Sequence, residues 1–153
     1  MVLLRHAIAP GFGDPENFQV EDCTTQRNLS EDGRQQARSI GNAFRQNGIT
    51  QAQVFSSQWC RCLDTAELLN LDEVQSLPLL NSFFQNHQRR EPQTEALRQW
   101  LLQQPVTTPL ILVTHQVNIT ALTGVTPASG EMVVITIEPS GKLVVLGNLL
   151  IDS

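Results

Sequence analysis

The stretch "LILVTHQVNITALTG", residues 110–124, decides the fold class. Four residues without a polar side chain, Leu110 to Val113, follow Pro109 before Thr114, so the segment reads as a strand buried on both faces, the pattern of a central strand in a parallel sheet. It ends in His115, and apolar residues at helical spacing follow from about Val117 to Thr123 before Gly124 closes the turn. A strand that runs through a polar residue into a helix is half of a βαβ unit.

Residues 1 to 6 give a second buried strand, and "VLLRHAIAPGFGDP", residues 2–15, carries it straight into Arg5 and His6. A loop rich in Gly, Pro, Asp and Asn covers residues 10 to 29, and a structureless stretch of that length is usually functional. Ser30 offers an N-cap with Glu31 and Asp32 behind it, and Ala37, Ile40, Ala43 and Phe44 recur at helical spacing until Asn47 and Gly48. Gln53 to Ser56 reads as a short strand, Trp59 to Asn70 as a second helix, and Thr94 to Gln103 as a third after a Leu-rich segment and the polar stretch 85–93. Met132 to Ile137 and Leu143 to Gly147 form a hairpin through Pro139, Ser140 and Gly141. The order βαβαβαβαββ predicts an α/β protein, a three-layer α/β/α sandwich on a mainly parallel sheet with an antiparallel C-terminal edge. A single domain over residues 1–153 is expected, with no internal repeat or linker.

Composition narrows the partners. Hydrophobic residues make up 41% and charged residues 16%, and ten Lys plus Arg face fifteen Asp plus Glu for a net charge of -5. No general attraction to nucleic acid or anionic membrane follows from that balance, and no apolar run is long enough for membrane insertion. An anion would have to be bound by a local pocket. Lys142 is the one lysine against nine arginines, a skew that suits oxyanion recognition but that composition drift also explains. Cys23, Cys60 and Cys62 do not have zinc-site spacing. One disulfide plus a free thiol, or three reduced thiols, are both open.

In an open parallel sheet, ligands bind outside the carboxyl ends of the strands. Strand one ends in Arg5 and His6, the strand at 53–56 leads into Arg61, and the strand at 110–114 ends in His115. Each alone has a plain structural reading: a strand-end His is more often a hydrogen-bonded core residue, and Arg61 alone reads as a surface helix residue. Together they place two guanidiniums and two imidazoles on one rim, and like charges gathered there call for an anion. Phosphate fits, since Arg forks bind its oxygens bidentately and helix N-termini add N–H donors.

The ordered segments "LLRHA", "RNLSEDGRQQA", "VFSSQWCRCLDTA" and "ILVTHQVNITALTG" resemble the landmark segments of the histidine phosphatase superfamily over nearly the whole chain. The resemblance implies a phosphoglycerate mutase-like fold and metal-independent hydrolysis of phosphomonoesters, with no cofactor. It implies His6 as the nucleophile that becomes phosphorylated, Arg5, Arg61, His115 and Gln116 as the phosphate-binding set, and His115 as the group that stabilises charge in transfer. The alternative is a weak or inactive member that binds phosphorylated ligands. Ala7 stands where the family commonly has glycine, and "LPLLNSFF" offers Asn81 and Ser82 where many members carry a proton-donating Glu. The acid is therefore sought elsewhere. Asp14 is chosen because it comes soonest after His6 on a Gly-flanked loop, ahead of Glu16, Glu21, Asp22 and the strand-heading Glu131. The substrate class is a phosphorylated small molecule or cell-envelope component. A bridge from Cys23 to Cys60 or Cys62 would tie the first loop to the rim, which makes sense in an oxidising compartment; an exported, periplasmic protein whose leader is absent from this chain is preferred to a cytoplasmic one.

Overall fold

The computed structural model describes residues 1–105 and 107–151. A six-stranded sheet forms its middle layer: β1 (Val2–Arg5), β2 (Gln53–Ser56), β3 (Val74–Ser76), β4 (Leu110–Thr114), β5 (Glu131–Ile137) and β6 (Leu143–Leu150), in the order β3-β2-β4-β1-β5-β6. The pairs β2–β3, β2–β4 and β1–β4 are parallel, whereas β5 runs antiparallel to both β1 and β6. This is the mainly parallel α/β sheet with an antiparallel edge that the sequence predicts. β4 is buried at all five positions, so both faces of the central strand must be covered.

Four helices cover them. On one face α1 (Glu31–Gln46) and α2 (Cys60–Leu68) set Ile40, Phe44 and Ala66 against Leu4, Val54 and Val113. On the other, α3 (Arg90–Leu102) and α4 (Gln116–Thr123) set Leu97, Leu101 and Ile119 against Leu3, Leu110 and Leu112. Alternation along β1 and β4 sends successive apolar side chains into opposite cores, which is how one short strand serves two layers.

The first helix starts where its cap predicts. Ser30 Oγ accepts the Gly33 N–H at 3.0 Å, and Glu31 and Asp32 occupy the positive end of the helix. Gly33 is required by contact: a Cβ there would stand 2.1 Å from the Ile8 carbonyl oxygen, so only glycine lets the chain leaving β1 run across α1. Three elements depart most from the sequence reading. α3 begins at Arg90, four residues before Thr94, because its first turn is polar and leaves no apolar periodicity to read. β3 is three residues long with two of them exposed, so the third strand of the predicted order has no apolar run to mark it. β6 continues to Leu150, past Gly147. Among the described residues no helix is long and apolar enough to cross a membrane.

Candidate active site

The carboxyl ends of β1, β2 and β4 open into one cavity of about 280 Å³, with Arg5, His6, Arg61, His115 and Gln116 in its wall. The strand-end rule thus brings together all five residues read from the sequence as nucleophile and phosphate-binding set. Asp14 lines the same cavity. Glu131 does not: its Oε1 accepts the Ala128 N–H at 3.0 Å and its Oε2 accepts from Asn148 at 2.6 Å, contacts that hold its carboxyl below the usual range.

His6 is 2% exposed and oriented from both sides. Its backbone N–H continues the β1–β4 ladder onto the Thr114 carbonyl at 3.1 Å. Its Nδ1–H donates to the Ala7 carbonyl at 2.9 Å, which assigns the proton to Nδ1 and leaves the lone pair on Nε2. The Arg61 Nε–H reaches that Nε2 at 3.3 Å. Burial, and then the charge of Arg61, push the His6 pKa down to about 3, against the smaller opposing effect of the Ala7 carbonyl. The imidazole is neutral at physiological pH.

Arg61 enters at the first turn of α2 and is 3% exposed. Its Nη1 donates to Asp14 Oδ1 at 2.8 Å and to the Arg27 carbonyl at 3.3 Å, and its Nη2 donates to Asp14 Oδ2 at 3.3 Å. With Nε on His6, one of its five N–H groups is left for a ligand. Asp14 is equally committed: Oδ1 also accepts the Arg27 backbone N–H and Oδ2 the Trp59 indole N–H, both at 3.1 Å. The sequence reading gave Arg61 a bidentate grip on phosphate and Asp14 a proton to donate; in this arrangement the two clasp each other.

The free donors lie elsewhere. Arg5 spends Nη1 on the Pro127 carbonyl at 3.0 Å, while its buried Nε has no partner. Arg27, which lines the cavity, ties Nε to the Gly13 carbonyl at 2.8 Å and Nη1 to the Ala9 carbonyl, leaving Nη2 without a partner among the described residues. Burial and the charge of Arg61 lower the pKa of both Arg5 and Arg27. At α2 the Gln58, Trp59 and Cys60 N–H groups are taken by Asn81, Ser57 and Gln26. The N-terminus of α4 carries no side-chain cap, and Gln116 and Val117, whose N–H groups belong to its unpaired first turn, line the cavity. His115, 3% exposed, bonds Ser57 Oγ through Nε2 at 2.8 Å, and its ring centroid lies 5.6 Å from that of His6. Burial and then the neighbouring His6 and Arg61 hold it well below its ordinary pKa.

Four arginines, Arg5, Arg27, Arg61 and Arg89, against the single carboxylate of Asp14 leave the lining short of negative charge beside a neutral imidazole, the condition for seating a dianion. Sequence reasoning missed Arg27, Arg89, Phe12 and Phe84 in the wall. The loop that brings Asp14 and Arg27 in is pinned by a Cys23–Cys60 disulfide, while Cys62 is free and buried against His115, its thiol pushed up to about 12 by burial.

A family model described as "Histidine phosphatase superfamily (branch 1)" matches residues 1–82, more than half of the chain. The chain belongs to the histidine phosphatase superfamily. It is thereby placed in a class of phosphatases. No curated protein matches it. Among solved structures it is similar to the protein histidine phosphatase SixA complexed with tungstate, at a TM-score of 0.69 and 15% identity over 97% of this chain and 95% of that one. A phosphoserine phosphatase of Entamoeba histolytica in complex with phosphoserine gives a TM-score of 0.68 at 15% identity over 96% and 94%, and Bacillus stearothermophilus YhfR gives 0.66 at 16% over 95% and 94%. At these identities the likeness shows the fold, which is phosphoglycerate mutase-like as the sequence segments implied.

Proposed function

We propose that this protein hydrolyses phosphorylated small molecules through a covalent phosphohistidine on His6 and without a metal ion. One observation carries the reading: the Nδ1–H bond to the Ala7 carbonyl aims a neutral, unprotonated Nε2 into a pocket of guanidiniums. A nucleophile needs a lone pair, and a buried, positively flanked imidazole keeps it at any physiological pH.

The phosphoryl dianion enters against Arg5, the open Nη2 of Arg27 and the N-terminus of α4. The long 3.3 Å bond from Arg61 to Nε2 is exchanged for one to a phosphoryl oxygen as phosphorus takes its place. His6 attacks; the equatorial oxygens gain charge that Arg5 and Arg27 meet with donors already in position. Water then displaces the imidazole. Asp14 serves by fixing Arg61 against His6, the role of a positioning residue. Turnover of p-nitrophenyl phosphate that persists in EDTA and disappears in His6→Ala supports the proposal. EDTA-sensitive turnover, or a His6→Ala variant near wild-type rate, overturns it. Phosphate binding without turnover would favour the inactive alternative.

A further inference from the structure

We infer that the site is built for a phosphoanhydride, the terminal phosphate of an organic diphosphate R–O–PO₂–O–PO₃, an inference that rests on His6 as the nucleophile. Three independent features converge on that substrate class.

The first is the lack of a usable acid. Among the described residues, the one carboxylate in the cavity wall is Asp14, and both of its oxygens are filled by Arg61, Trp59 and Arg27 N–H groups. Nothing there hands a proton to a departing alkoxide, so the leaving oxygen has to depart as a stable anion. The second is surplus positive charge. Arg5, Arg27 and Arg61 against Asp14 already match a phosphoryl dianion, yet the solvent-exposed Arg89 also lines the cavity, and among the described residues its guanidinium forms no hydrogen bond or ion pair that would hold it away from a ligand. A second anionic group beyond the transferred phosphorus would answer it. The third is apolar surface at the mouth. Phe12 is 97% exposed between Gly11 and Gly13, whose φ angles of +98° and +60° lie in the left-handed region, and Phe84 is 48% exposed. Exposed aromatic faces beside an anion site suit a planar or chain-like R group.

An acyl phosphate or phosphoramidate satisfies the first feature alone, and an aryl phosphate the first and third. An organic diphosphate satisfies all three. In the reaction, His6 Nε2 bonds the terminal phosphorus as the bridging P–O bond breaks, and the electron pair leaves on the bridging oxygen of R–O–PO₃ dianion, held by Arg89 and Arg27. Water then cleaves the P–N bond; its oxygen and both hydrogens depart as dihydrogen phosphate, which sheds a proton to solvent.

The test compares kcat/KM for ADP against AMP and for geranyl diphosphate against geranyl phosphate, with p-nitrophenyl phosphate as reference, in the wild type and in Arg89→Ala. At least one diphosphate should exceed its monophosphate by about 100-fold or more, the size of an absent general acid, and ADP against the geranyl compound tells which R fits. In Arg89→Ala, the ratio of that diphosphate to p-nitrophenyl phosphate should fall by about tenfold, the scale of one charge-assisted hydrogen bond. Monophosphates turned over as well as diphosphates, or a ratio unmoved in Arg89→Ala, overturns the inference. If p-nitrophenyl phosphate is hydrolysed through His6 and neither diphosphate is, the phosphatase reading stands and this one falls; if none is hydrolysed, both fall.

Discussion

Asp14→Asn isolates the role of the carboxylate nearest the nucleophile. The wild-type pair is buried, with side chains 8% and 4% exposed and Nη1 to Oδ1 at 2.8 Å. Asparagine keeps an oxygen for the Trp59 indole but removes the charge and the Oδ1 acceptor, leaving two donors, Arg61 Nη1 and the Arg27 backbone N–H, without that partner. Breaking a buried pair from one side costs about 3–5 kcal/mol, and the isosteric amide puts this change near about 3 kcal/mol. In a domain of this size that lowers Tm by about 6–12 °C. Because Arg61 then loses its hold on His6 Nε2, kcat/KM should fall by about 10–100-fold, and by the same factor for p-nitrophenyl phosphate and for an alkyl phosphate such as glycerol phosphate. Thermal unfolding and steady-state rates on both substrates measure it. A loss of about 100-fold confined to the alkyl phosphate would refute the positioning role and make Asp14 the proton donor; an unchanged Tm would mean the pair does not form.

Two further outcomes follow from the same geometry. Unreduced, denatured protein should titrate one thiol, Cys62, and reduction of the Cys23–Cys60 bridge, which spans 37 residues, should destabilise the fold by about 4 kcal/mol in the chain-entropy account; three thiols would contradict it. His6 and His115 are both held below their unfolded pKa, so the unfolded chain binds more protons below about pH 6.5 and stability falls with acidity there, by about 2 kcal/mol from His6 between pH 7 and pH 5, with His115 acting in the same direction. Urea titrations at the two pH values, with His115→Asn expected to make the drop smaller, check this; equal stability at both would mean the imidazoles are charged in the fold.

How far the sequence reaches depends on what each residue answers to. Strand β4 was legible because burial on both faces leaves an unbroken apolar run, and α1 because Ser30 and its buried stripe obey local rules. Arg5, His6, Arg61 and His115 were legible because strand ends in a parallel sheet share a rim. The Asp14–Arg61 clasp was not, since it joins residues 47 apart through a loop whose course is set by Arg27 on Gly13 and by the bridge to Cys60. The choice of Cys60 over Cys62 follows from the helix: two residues are about 200° apart in direction, so one faces the loop and the other His115. Arg89 and Phe84 enter the wall from the turns before α3, where no periodicity points inward.

The central claim, a phosphoryl group carried on His6, is tested most directly by rapid quench with ³²P-labelled substrate followed by peptide mapping. The account predicts acid-labile, base-stable label on the peptide containing His6 and none in His6→Ala. Label on another residue, or turnover with no labelled protein at any quench time, would contradict it.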